Sequence, residues 1–561
     1  MLMKRPSDTV TAPDSIFSGA VFSAPIFIIM LAALALLLPT FFLGIPSGHD
    51  FEFHLNSWME VLSQWKHGLI FPRWAALAHY GFGEARFIFY PPASWMLGAA
   101  LGSFLPWKIV PGVYEWIALT LSGCSMFLLA RRFLERRDAI FAAALYAVNP
   151  YHIVIVYWRS AFAELLAGAL LPLLLLHLLR AEEEGGKTIL PLGLIIAAAW
   201  LTNVPSAVML TYSLVLLVTV LAILRRSPRI LVVAAAALLV GFMLAAFYLV
   251  PVAYEQKWVE IAQVLSPGVR PLDNFLFTPI DDADHNRFNL LLSLVATAEI
   301  ILLAVVCVGS RRWRSRTPQL WWTLTGWGAA ATALMLWFSF VFYRILPELR
   351  YVQLPWRWLL CLNVAFALLL TMAWRQWLPR ALACVVMLAV LAWGWHRVQP
   401  PWWDTAADVA EMQDNQENGS GYEGTDEYVP TGADAYEIKK DAHRVIFEGE
   451  GGSRIHVTEW APESKSFTAG VSKSGKLVLK LFNYPAWKVD VNGRPVEAQT
   501  HEVTGQMIIP LEAGENLVRI KFVRTPDRTM GGLISLGAGI LLLGGALLSK
   551  RVALFPDAPV S

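Results

Sequence analysis

One polar stretch, residues 44–92, carries Asp50, Glu52, His54, Glu60, His67, Arg73, His79, Glu84 and Arg86 among many Trp, Phe and Tyr. A plain connector between apolar segments does not need so many ionisable groups; a site at a membrane surface does. Asp50 and Glu52 are candidate proton acceptors, and His54 can orient a carboxylate or ligate a metal. Phe51, Leu55, Trp58, Met59, Leu62 and Trp65 recur at helical spacing, and Gly68 is a stop signal. Residues 50–67 therefore read as an amphipathic helix. On it Asp50, His54 and Ser57 share one face, at steps of four and three. Asp50 also suits a helix start, where the dipole favours a carboxylate. The two roles are compatible, because a carboxylate kept ionised there can still take a proton. Tyr90, ahead of Pro91 and Pro92, is either a turn-shaping residue or a sugar contact.

Further candidates lie downstream. Arg159 and Glu164 are either ligand-binding groups or a structural ion pair. Asp281, Asp282, Asp284 and His285 cluster as ligands of a divalent ion (Mg or Mn) would, and also as a solvated loop would. With Asp50 and His54, Asp282 and His285 are the candidate metal ligands. Arg350 and Arg357 flank Gln353-Leu354-Pro355-Trp356, a proline-containing aromatic turn where a lipid phosphate could be held; snorkelling at a helix end is the alternative. Glu299 sits in an apolar run and needs a partner there.

These residues must be positioned by membrane helices. The chain has 561 residues, 56% hydrophobic and 16% charged, with 24 Trp. Soluble domains carry about 25% charged residues, and apolar runs of roughly twenty residues recur here, so the chain reads as a polytopic membrane protein. There is no basic patch outside short loops, which excludes a nucleic-acid reader. Cys124, Cys307, Cys361 and Cys384 all lie in apolar segments and read as small hydrophobes. Lys4 and Arg5 put the N-terminus in the cytoplasm, and nearly every later cytoplasmic loop is basic, except AEEEGGK. Residues 93–105 are too short to span comfortably and are expected to be re-entrant or interfacial. The expected total is about twelve spans, with Asn203-Val204-Pro205 as a break. Residues 399–528 form an extracytoplasmic β-rich domain, expected as a β-sandwich with a long loop over 411–434. Trp487, Val489 and Val491 alternate with polar residues, and Asn492-Gly493 is a hairpin signal. A last helix, about 530–548, ends at Lys550 and Arg551 inside.

Three sets of motifs resemble a known family: GHDFEFH with FPRW and FIFYPP, WRSAFAEL, and VQLPWRW. Together they resemble the bacterial membrane proteins called 6-pyruvoyl-tetrahydropterin synthase-related and, more distantly, YfhO-like membrane proteins. NYPAWKVDVNG and IIPLEAGENLVRIKF strengthen the second comparison. The resemblance implies the GT-C architecture of lipid-linked glycosyltransferases, with the domain split 1–398, 399–528 and 529–561. It implies that Asp50 is the catalytic carboxylate, with Glu52 as a second acidic position, although the spacing here is Asp-x-Glu. The expected activity is glycosyl transfer from a polyprenyl-phosphate sugar to a glycan or lipid acceptor of the cell envelope, at the outer face of the cytoplasmic membrane. Arg73, Tyr90, Arg159, Glu164, Arg350, Gln353 and Arg357 are the candidate substrate contacts. A lipid transporter or flippase, or an inactive assembly scaffold, is the alternative.

Overall fold

The computed structural model describes residues 19–554, so Lys4 and Arg5, and the side chains of Lys550 and Arg551, lie outside the described residues. The protein is a mostly helical membrane protein with a C-terminal β-sheet region. Among the described residues eight helices are long and apolar enough to cross a membrane, or up to ten if each of two bent helix pairs is one span. The hydropathy reading of about twelve takes separately some segments that this count joins or leaves out. Phe162–Trp200 is one stretch of 39 residues, with the short turn Gly185–Thr188 joining two helices inside it. Two further segments bend too sharply to count as straight spans: Arg229–Leu244 with Ala246–Trp258 by 74°, and Pro318–Leu334 with Trp337–Ile345 by 91°. The helix Ile189–Trp200 ends just before Asn203, which caps the next, its side chain accepting from the Ser206 N–H. Glu299 finds a partner in Asn363, whose amide donates to it at 3.0 Å.

The amphipathic helix forms as its spacing predicts, over Phe51–Lys66. Its apolar face is buried, with Phe51, Leu55, Trp58 and Val61 fully covered. The short helix Pro92–Gly102 packs on it. There Gly98 permits close approach: a Cβ at that position would come within 2.1 Å of the Trp58 ring.

The C-terminal domain has two antiparallel sheets. One orders the strands Val445–Glu448, Gly475–Phe482, Gln506–Leu511 and Gln499–Thr500; the other orders Ser453–Ala461, Ser464–Val471, Gly514–Phe522, Trp487–Val491 and Arg494–Val496. Phe467, Val489, Val518 and Ile520 from one sheet share a core with Leu477, Leu479, Met507 and Ile509 from the other, which makes a sandwich. Asn492 and Gly493 both take positive φ, 54° and 81°, as a tight hairpin requires. The polar stretch enters the same core through Trp74, Phe82, Ile88 and Phe89. The loop expected from residue 411 begins later. Thr405 and Asp408 form a capping box that starts the helix Ala406–Glu417, and Gln416 holds its far end by donating to the Asn56 carbonyl at 3.0 Å.

A buried ion network ties this domain to the polar stretch. Arg86 binds Glu84 at 2.5 Å, donates to the Ser57 hydroxyl at 2.9 Å, and Glu84 accepts from the Thr425 N–H at 2.9 Å. Burial alone would raise the Glu84 carboxyl, but Arg86 and His79 outweigh it and hold it down to about 2. Glu60 accepts from the Tyr422 hydroxyl at 2.5 Å.

Candidate functional site

Asp50 stands immediately ahead of the Phe51–Lys66 helix, but its side chain makes no capping bond. The backbone positions it instead. Ile45–Pro46 pairs with Trp403–Asp404 as a two-residue antiparallel ladder. Gly48, His49 and Asp50 then clasp the end of the turn Ile155–Arg159, which has π-helical geometry; such single turns are frequent at functional sites. The Gly48 N–H donates to the Ser160 hydroxyl at 2.9 Å, that hydroxyl donates to the Pro46 carbonyl at 3.0 Å, and the Asp50 N–H donates to the Arg159 carbonyl at 2.9 Å. Only glycine fits at 48, because a Cβ would lie 2.4 Å from the Trp158 carbonyl oxygen. The GHD and WRS motifs are two halves of one clasp.

Arg159 is the hub of the cluster. It reaches the Asp50 carboxylate at 3.4 Å and forms a close ion pair with Glu164. Its guanidinium lies over the Trp356 ring at 5.0 Å. Glu164 also takes Arg357 at 3.1 Å and the Tyr151 hydroxyl at 2.5 Å. Arg357 spends its other donors on the Val352 carbonyl and the Gln353 side chain, both at 2.9 Å. Arg159, Glu164 and Arg357 are buried, whereas the Asp50 side chain keeps 39% of its surface exposed. A contact of 3.4 Å is long for a charge-assisted bond, so Asp50 retains acceptor capacity for an outside proton.

His54 lies deeper. It is 2% exposed, its Nε2 faces the Tyr90 hydroxyl at 3.4 Å, and Phe162 meets its ring edge-on at 5.4 Å. Burial lowers its pKa to about 4, against the raising effect of Asp50, so the imidazole is neutral near pH 7.

A cleft of about 440 Å³ is walled by His49, Glu52, Trp402, Trp403 and Asp404; Asp50 lies between the first two in the chain and is not itself part of the wall. Glu52 belongs to this cleft and not to the Asp50–Arg159 cluster. Trp402 is exposed and His49 packs against it, with ring centroids 5.2 Å apart.

The structure therefore gathers Asp50, Arg159, Glu164, Gln353 and Arg357, with His54 and Tyr90 behind them, and leaves Glu52, Arg73, Arg350, Asp282 and His285 elsewhere. Arg350 is exposed and lies over the neighbouring Tyr351 ring at 5.0 Å. Arg73 lines a separate cavity with Arg524 and Arg528. Asp282 caps the helix Ala283–Gly309 through the N–H groups of Asp284 and His285, and the His285 Nε2 lies 3.2 Å from the Asp273 carbonyl. Among the described residues no group of three or more His, Cys, Asp or Glu side chains is placed to hold a metal ion. Asp50, His54, Asp282 and His285 thus do not assemble as a ligand set. Sequence reasoning missed Tyr151, Ser160, Trp402 and Asp404. A Trp pair followed by a carboxylate, directly after an apolar run, was the available signal for the last two.

A family model described as the 6-pyruvoyl-tetrahydropterin synthase related domain, a membrane protein, matches residues 87–398, more than half of the chain. The match includes Arg159, Glu164, Gln353 and Arg357 and begins after Asp50. No curated protein matches. Among solved structures, the chain is similar to the oligosaccharyltransferase of Archaeoglobus fulgidus in its apo form, with 15% identity and a TM-score of 0.36. It is also similar to AglB of the same organism in complex with an inhibitory peptide and a dolichol-phosphate, with 14% identity and a TM-score of 0.38. Each alignment covers 73% of this chain and 57% of the solved chain, so the chain spans little more than half the length of those proteins. By its family match, the chain belongs to the 6-pyruvoyl-tetrahydropterin synthase-related membrane proteins.

Proposed function

We propose that the protein is a GT-C-type membrane glycosyltransferase. It takes a sugar from a polyprenyl-phosphate donor and places it on a cell-envelope glycan or lipid, at the outer face of the cytoplasmic membrane. The observation that carries this reading is the setting of Asp50: a part-exposed carboxylate, braced by buried Arg159, in the segment whose His49 and Glu52 help wall a cleft of tryptophans and acids. Tryptophan faces suit the C–H faces of a sugar, and Glu52 and Asp404 can accept its hydroxyls.

In the proposed reaction an acceptor hydroxyl lies in that cleft within reach of Asp50. Asp50 takes its proton as the hydroxyl oxygen attacks the anomeric carbon of the donor sugar. The bond from that carbon to the phosphate oxygen breaks, and the phosphate leaves with the electron pair. Arg159, Glu164 and Arg357 hold the cluster neutral and fixed, so Asp50 needs no rearrangement to act. Asp50→Asn keeps the shape and removes the base. It is expected to lower transfer from a polyprenyl-phosphate sugar by about 100- to 10,000-fold, with unchanged thermal unfolding. Near-wild-type turnover in that variant would refute the reading.

A further inference from the structure

A second cavity, of about 230 Å³, is lined by Phe71, Arg73, Phe87, Phe247, Arg524 and Arg528, together with three other residues, none of them a carboxylate. Three guanidinium groups thus converge on an aromatic wall. Arg528 is only 6% exposed. Its Nε and one Nη each bind Glu255 at 2.6 Å, while the other, Nη1, is buried with no hydrogen-bond partner. Arg528 therefore contributes fixed positive charge to the cavity wall, held in place by Glu255.

Arg73 adds to the same imbalance. Its backbone N–H donates to Glu463 at 3.2 Å, but its guanidinium donates to no described side chain or carbonyl. Burial lowers its pKa, Glu463 opposes this, and the like charges of Arg528 and Arg524 add to the lowering. Arg524 is exposed and donates to the Arg528 carbonyl at 3.1 Å. The carboxylates of this region, Glu255, Glu463 and Asp527, are not part of the lining.

The surroundings are membrane-like. Ile70 and Phe71 are exposed, and the helix that carries Arg528 goes on to expose Met530 and Leu533. That helix is fixed against its neighbour: the Phe247 N–H donates to the Ser535 hydroxyl at 2.9 Å. Neither Asp50 nor Arg159 lines this cavity. Tyr90 meets His54, whereas Phe87 of the same FIFY segment lines the arginine cavity.

We propose that this cavity binds the phosphate group of a membrane lipid, with the lipid chain lying on Phe71, Phe87 and Phe247. Guanidinium forks match phosphate oxygens, the unpartnered Arg73 guanidinium and the exposed Arg524 are the ones free to take them, and the exposed apolar surface receives the chain. A free phosphate would use the arginines and leave the aromatic wall bare. The assignment does not depend on the chemistry at Asp50.

The test is equilibrium binding to the full chain in detergent, with four probes: short-chain phosphatidic acid, a short polyprenyl phosphate, inorganic phosphate and diacylglycerol. Arg73→Gln and Arg524→Gln are the variants, since both leave the Arg528–Glu255 pair intact. At least one phosphate lipid is expected to bind, each variant weakening it about tenfold. Diacylglycerol and inorganic phosphate are expected to bind far more weakly. The tighter of the two lipid probes identifies the chain type. Asp50→Asn is expected to bind like wild type, which separates this site from the transfer reaction. Affinities unchanged in both arginine variants would overturn the proposal, as would inorganic phosphate binding as tightly as the lipids, or loss of lipid binding in Asp50→Asn.

Discussion

Arg159 and Asp50 are 109 residues apart in the chain, and their side chains meet at 3.4 Å. Their backbones are joined too, through the Asp50 N–H and the Arg159 carbonyl at 2.9 Å. The carboxylate proposed to move a proton is therefore placed by a membrane helix end, and any change in the 155–160 turn is felt at Asp50.

Removing Glu164 should unfold the membrane part, while removing Asp50 should not. Glu164 is paired with both Arg159 and Arg357 in a buried setting, and stripping one partner from such a group costs about 3–5 kcal/mol. Asp50 is partly exposed, so Asp50→Ala is expected within about 0.5 kcal/mol of wild type. Thermal unfolding of Glu164→Ala and Asp50→Ala in detergent compares them; equal stability would mean that Glu164 is solvated.

His54 should make stability depend on pH. Its folded pKa is lowered from 6.5 to about 4, so the unfolded chain binds more protons across that window and stability rises with pH through it. The contribution is fully present above 6.5 and lost as pH falls toward about 4. Unfolding measured from pH 4 to 7 should show this slope, and His54→Gln should flatten it. An unchanged slope in the variant would assign the dependence to another group.

Trp402 should matter to the acceptor more than to the chemistry. Trp402→Ala removes an exposed face of the cleft and is expected to raise the acceptor KM about tenfold, the loss of roughly one stacking contact, with kcat within about twofold. A fall in kcat at unchanged KM would place Trp402 in the reaction step.

Both the Asp50 helix and the sandwich should be accessible from outside the cell. Ser63 and Ser453 are exposed, so Cys at either position should react with an impermeant maleimide in intact cells. Protection at one position and labelling at the other would break the proposed arrangement.

Some of this was present in local sequence. The period of Phe51, Leu55, Trp58 and Leu62 specified the helix because side chains three and four apart share a face. The alternation of Trp487, Val489 and Val491 and the Asn492-Gly493 pair specified a hairpin, because strand period and positive φ are local properties. Charge placement likewise nominated Asp50, Arg159, Glu164 and Arg357. Local pattern did not show that Arg357 turns inward to Glu164 while Arg350 faces solvent, since both flank the same turn. Nor could it show that Trp402 and Asp404 wall one cleft with His49 and Glu52, or that Arg73 joins Arg524 and Arg528. Those contacts join segments hundreds of residues apart, and only the packing of helices, ladder and sandwich brings them within reach.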